Sequence, residues 1–148
     1  MIASLLMVEL AGRRAALPAE RIHSVIEPAL VVPVPRAASH VAGLAALRSR
    51  PLTLIDCRAS LGFDPVSDTT PTTGPRAVVV EHDGHLYGLL VDVADEIVAA
   101  VGEPGALIAD PGPGWRAMAP HMIESANGPL LLLDIAALIA GPDQAQAA

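Results

Sequence analysis

The segment VPVPRAASHVAGLAALRSRPLTLIDCRASLG, residues 32–62, decides the fold. Pro33 and Pro35 end one extended segment, and an Ala-rich turn leads to Gly43. Two apolar runs, 44–47 and 52–55, are then divided by Arg48-Ser49-Arg50-Pro51, which reads as a hairpin turn or kink. Asp56 follows at once. Its carboxylate is placed to accept hydrogen bonds from the free amides that open a short helix over 57–61, and Gly62 stops that helix.

Working outward, the same order of features returns near the C-terminus. PLTLIDCRASLG at 51–62 and PLLLLDIAALIAG at 129–141 both read Pro, strand, Asp, short amphipathic helix, Gly. Upstream, 12–26 aligns with 84–98: a Gly turn, an apolar strand, one acidic helical turn, then a second strand. Two copies of one strand-rich unit are implied, each too small to bury its own core and needing the other.

The remaining elements fit that plan. Strands at 4–10 and 15–17 flank a turn at Ala11-Gly12, and 77–81 and 86–93 flank Asp83-Gly84, where glycine permits the tight reversal. Single helical turns are expected at 19–22 and 92–96, extended chain at 25–34 bounded by prolines, and a strand at 97–101. A last hairpin joins 122–125 to 130–133, and Asp134 caps a terminal helix through Ile139. Residues 64–75, almost without apolar side chains, read as a mobile loop, and the Pro/Gly-rich 102–120 reads as irregular, with Trp115 as a core plug.

Composition bounds the function. A chain of 148 residues that is 52% hydrophobic and 17% charged forms one compact unit, or two small subdomains sharing a core. Phe63, Tyr87 and Trp115 are the only aromatic residues, so Val, Leu, Ile and Ala must build that core, and the β-branched among them favour strands. A net charge of -7, with arginines in pairs and no basic stripe, argues against nucleic acid as a partner. Cys57 is the single cysteine and reads as a buried, inert thiol in a reducing cytosol. The N-terminus has no basic region before its apolar run, and Asp134 breaks the run 129–140, which is well short of the ~20 residues of a membrane helix. A cytoplasmic protein without direct membrane insertion is expected.

Chemistry is sparse. No G-x-S-x-G elbow and no phosphate-binding G-x-x-x-x-G-K-[ST] occurs. His82, Asp83 and His85 crowd a hairpin tip, but three groups at one exposed turn read as a solvated turn and not as a closed metal site. His40 reads as facing solvent or satisfying a backbone group. Asp56 and Asp134 sit at strand-to-helix junctions, where capping accounts for them. Arg48 stands apart as a charge inside apolar sequence, either a structural arginine or a partner contact. No catalytic residue, metal or cofactor is expected, and the chain does not read as an enzyme.

Five blocks in order, ALPAERIHSVI, VPVP, VAGLAALRSRPLTLIDCRASLG, AVVVEHDGHLYGLLVDVADEIV and GPLLLLDIAALIAG, resemble the CheW-like domain family of bacterial chemotaxis across about residues 4–140. The family's central pattern, Gly-Leu-x-Asn-Leu-Arg-Gly before a strand ending in Asp, is met at Gly43, Leu44, Leu47, Arg48 and Asp56. Ala46 replaces the Asn, Ser49 replaces the second Gly, and Ser24 stands where an acidic residue is common. The resemblance implies a mainly β fold of two SH3-like five-stranded β-barrel subdomains packed together within a single domain, with short helices including a C-terminal one. It also implies a non-enzymatic adaptor in a two-component signal-transduction system, joining the cytoplasmic tip of a chemoreceptor to the regulatory domain of a CheA-type histidine kinase. By the same carry-over, Ile22, Val25, Gly43, Leu44, Arg48, Val91 and Val93 would form the receptor- and kinase-binding groove, a shape suited to a partner helix. The departures at 24, 46 and 49 leave a regulator of a pilus-type or other non-flagellar chemosensory pathway as one alternative. A small β-barrel metal- or ligand-binding protein using His82, Asp83 and His85 is another.

Overall fold

Residues 2–28, 31–63 and 76–142 are described in a computed structural model of the chain. The strands are β1 (Ser4–Leu10), β2 (Arg13–Pro18), β3 (Ile22–Ile26), β4 (Val41–Leu47), β5 (Arg50–Asp56), β6 (Arg76–His82), β7 (His85–Val91), β8 (Val93–Ala99), β9 (Gly105–Ala106), β10 (His121–Ser125) and β11 (Gly128–Leu132). Three short α-helices, α1 (Cys57–Ser60), α2 (Pro113–Met118) and α3 (Ile135–Ala140), and a single 3-10 turn at Ala19–Arg21, where a helical turn is expected from the sequence, complete the described set.

The strands form two sheets, ordered β8-β1-β2-β11-β10-β9 and β3-β6-β7-β5-β4. Replacing β3, β6, β7, β5 and β4 by their repeat equivalents β8, β1, β2, β11 and β10 turns the second order into the first, apart from the two-residue β9. The repeat is therefore real, but a repeat is not a subdomain. Each sheet takes the opening hairpin of one copy and three strands of the other. The copies are joined by four pairings, antiparallel between β1 and β8 and between β3 and β6, and parallel between β2 and β11 and between β5 and β7.

Burial explains why these strands are apolar at nearly every position. A strand covered on both faces must present hydrophobic side chains to both. On β1, Leu5 and Met7 point into a cluster with Ala16, Val98, Ile123 and Leu130 inside their own sheet, whereas Leu6, Val8 and Leu10 enter a larger shared cluster. On β6, Ala77 and Val79 join Leu52, Leu54, Leu86 and Leu90, and Val78 and Val80 enter the shared cluster. The core thus has three parts: one inside the curl of each sheet and one between the sheets, where Trp115 and Met118 of α2 also lie.

Closing contacts support the barrel-like curl. In the six-stranded sheet the chain just past edge strand β8 meets the far end of β10, where Ala100 bridges Ser125 and the Val101 amide donates to the Glu124 carbonyl at 2.9 Å. In the other sheet the edge strands β3 and β4 send Ile26, Ala45 and Leu47 to the same interior cluster.

Local signals held at the turns and caps. Both opening hairpins reverse through a left-handed pair, Ala11-Gly12 (φ 52 and 79) and Asp83-Gly84 (φ 51 and 80). Asp56 accepts from the Arg58 and Ala59 amides at 3.0 and 3.2 Å, and Asp134 accepts from the Ala137 amide at 3.2 Å. His40 satisfies a backbone group: it is buried, and its Nε2–H donates to the Ile139 carbonyl at 2.8 Å.

Two expectations fail. Residues 92–96 do not form a helical turn; β8 begins at Val93 and pairs along β1, from Glu9↔Val93 to Ser4↔Ala99. The Asp92 carboxylate accepts from the Ala11 amide at 2.8 Å instead of capping a turn of its own. Nor is 102–120 wholly irregular, since it holds β9 and α2. Pro113 at the first helical position and burial of Trp115 and Met118 favour α2 where intrinsic propensity is low. The 25–34 segment is extended in part: β3 ends at Ile26, and beyond the undescribed 29–30 Val32 bridges Leu44. The loop expected at 64–75 lies outside the described residues.

Candidate protein-binding surface

The hairpin β4–β5 carries the central motif. Leu47 pairs with Arg50, so Arg48 and Ser49 are the two turn residues, and both are left-handed, at φ 49 and 72. A two-residue hairpin turn of type I′ has such angles at both positions, which asparagine and glycine usually supply. Here the strand pairing imposes them on residues that resist them.

Gly43 has a different task. It sits at a register shift in β4 with φ 151, and a Cβ there would lie 2.6 Å from the Val32 carbonyl oxygen. Val32 and Leu44 exchange two backbone hydrogen bonds of 2.8 Å directly over this glycine. The close approach extends the sheet past β4 and leaves Leu44 and Val32 at the surface as exposed apolar side chains.

The seven residues singled out from the sequence divide into two groups. Val25 on β3, Leu44 on β4 and Val93 on β8 are 40, 39 and 42% exposed, and Arg48 is exposed at the hairpin tip. Gly43 and Val91 are buried, Val91 at 1% within the shared core, and half-buried Ile22 packs against that core. Val91 is buried because its position on β7 alternates inward with Leu89. Val25, Leu44 and Arg48 belong to the five-stranded sheet, whereas Val93 is on the edge strand of the other.

Curling brings together residues that the sequence keeps apart. His23, Ser24 and Ile26 of β3 share one cavity, of about 270 Å³, with Leu47, Arg48, Arg50 and Leu86. Read from the sequence, Arg50 was half of a solvated arginine pair and His23 had no role. Only the approach of two edge strands reveals the grouping. A second apolar strip runs along β8 and beyond it, through Val93, Ile97 and Val101.

The hairpin tip at 82–85 has ordinary surface contacts. His82 Nε2 lies 3.5 Å from an Asp83 carboxylate oxygen, and its ring packs edge-on against Tyr87 at 6.4 Å. Among the described residues, no group of three or more His, Cys, Asp or Glu side chains is placed to hold a metal ion. The Cys57 thiol is buried in the shared core, and burial, with Asp56 and Asp92 nearby, pushes its pKa far up, which keeps it protonated.

The family model of the CheW-like domain matches residues 4–142. The chain belongs to the CheW-like domain family. The crystal structure of the scaffolding protein TtCheW from Thermoanaerobacter tengcongensis has the same fold as this CheW-like chain, with a TM-score of 0.74 at 18% identity over 91% of this chain and 86% of that one. The match is to a mainly β fold of two sheets and short helices with two SH3-like subdomains. A search of curated proteins finds no match. Two departures from the CheW-like central pattern, Ala46 and Ser49, are exposed on or next to the β4–β5 hairpin. The third, Ser24, faces the same cavity as Arg48.

Proposed function

We propose that this CheW-like domain is a non-enzymatic adaptor of a bacterial chemosensory system. It couples the cytoplasmic tip of a chemoreceptor to the regulatory domain of a CheA-type histidine kinase and works in the cytoplasm. The observation that carries this reading is the family match across residues 4–142. The relative of the same fold is itself described as a scaffolding protein. No helix among the described residues is long and apolar enough to cross a membrane, in keeping with a partner that reaches receptors from the side.

In this reading Val25, Leu44, Arg48 and Val93 make the contacts, and Ile22, Gly43 and Val91 hold the contact strands in place from beneath. Exposed aliphatic side chains around one arginine suit an amphipathic helix, whose apolar face lies on the sheet while a polar group meets the guanidinium. The purified protein should bind a CheA regulatory domain and a receptor-tip fragment from its own organism. Absence of association with every such pair overturns the proposal. Arg48→Ala should weaken that binding and leave the thermal midpoint nearly unchanged, because the side chain is exposed; a collapse of folding would assign the arginine a structural role.

The substitutions at 24, 46 and 49 fall on the β3 and β4–β5 edges, which favours a second reading in which the pathway is of the pilus type or otherwise non-flagellar. Genes for pilus components beside this one, with none for a flagellum, would select it.

A further inference from the structure

The mouth of the five-stranded sheet joins two kinds of surface in one cavity. Ile26, Leu47 and Leu86 line it with hydrocarbon; Ile26 and Leu47 pack on the interior cluster to which Leu86 belongs. Arg48, Arg50, His23 and Ser24 supply its polar side. Among the described residues neither Arg48 nor Arg50 has an ion pair or a side-chain hydrogen bond, whereas Arg58, Arg76 and Arg116 are each paired with a carboxylate. His23 Nε2 lies 3.4 Å from a Glu81 carboxylate oxygen, so Glu81 is turned to the imidazole.

Two arginines lining one cavity gain from a shared counter-charge, and the planar donor set of a guanidinium matches the two oxygens of a carboxylate. The hydrocarbon of Ile26, Leu47 and Leu86 in the same lining favours a ligand whose charge is attached to an apolar stem. Ser24, at the same cavity, offers a hydroxyl and no competing negative charge.

We propose that this cavity is a binding site for a carboxylate on a short aliphatic stem, with the charge between Arg48 and Arg50 and the stem against Ile26, Leu47 and Leu86. A free aliphatic acid and the glutamate side chain of a protein partner both have this chemistry. The site does not depend on the adaptor reading, because defined small probes test it without kinase or receptor.

The test is a titration of the full chain followed by heteronuclear NMR, with hexanoate, hexanol and a capped Leu-Glu-Leu peptide as probes. Hexanoate or the peptide should shift the amides of Ser24, Arg48 and Arg50 saturably, and hexanol should not. Hexanoate acting alone identifies a free acid as the source, and the peptide acting alone identifies a protein glutamate. Arg48→Gln with Arg50→Gln should weaken binding by at least about tenfold while the rest of the spectrum is retained. Ser24→Glu, which supplies the carboxylate within the chain, should block both probes. Saturation by neither probe, equal binding of hexanol, or undiminished binding to the double variant overturns the proposal.

Discussion

Ser49 and Arg48 occupy backbone space that suits glycine, and the angles cost L residues roughly 1–2 kcal/mol each. Ser49→Gly should therefore stabilise the protein by about 0.5–1 kcal/mol after the extra chain entropy of glycine is deducted, as read from urea unfolding. No gain would mean that the turn relaxes. Gly43→Ala should do the reverse: its methyl group would meet backbone, which cannot swing aside, and a loss of about 1–3 kcal/mol is expected in the same measurement.

Cys57 links a residue to pH. Its folded pKa is raised above the ordinary 9.0, so the unfolded chain alone releases this proton as pH passes 9, and the folded state binds more protons there. Stability should hold below pH 9 and fall above it, with a slope approaching about 1.4 kcal/mol per pH unit from this group. Cys57→Ala should remove that component. A thiol reagent should leave the folded protein unmodified and label it only on unfolding.

At the scale of elements, caps and turns were legible and tertiary elements were not. The Asp56 and Asp134 caps follow from an acid placed just before a short amphipathic run, and both are formed. Asp56→Ala should cost about 1–2 kcal/mol and Asp134→Ala less, since the first carboxylate accepts from two helix amides and the second from one. Comparable losses for the two, by chemical denaturation, would contradict that assignment. By contrast, PGWRAM gives no helical signal beyond Pro113 at its start; α2 forms because Trp115 and Met118 find the shared core. The acidic turn expected at 92–96 resembles the one formed at 19–21, yet β1 offers β8 a pairing partner and the β1–β2 turn offers Asp92 a donor, and these outweigh a weak local preference. Arg13, packed 5.3 Å over the Trp115 ring, similarly joins two segments that no local pattern connects.

At the scale of the molecule, the exchange of strands between the repeats governs cooperativity. A unit that lends its opening hairpin to one sheet and its other three strands to the second has no core of its own. Residues 1–63 and 76–142, expressed separately, should each lack stable β structure by circular dichroism, and mixing them should restore it. A fragment that folds alone would show that one copy is self-sufficient. The same exchange places the candidate site: β3 and β4 belong to one copy but reach the cavity from opposite edges of a sheet built around β6 and β7 of the other.

The sequence by itself determined the strand content, the twofold repeat, the turns at 11–12 and 83–84, the two Asp caps and the family. Each of these rests on short-range pattern: alternation, a cap, a glycine, or the order of blocks. Tertiary structure alone decided which strands share a sheet, that Gly43 and Val91 are buried, and that Arg48 and Arg50 meet His23 and Ser24 at one cavity. The reason is physical. Strands apolar on both faces carry no mark of their neighbours, so pairing is settled only when all three parts of the core are buried together.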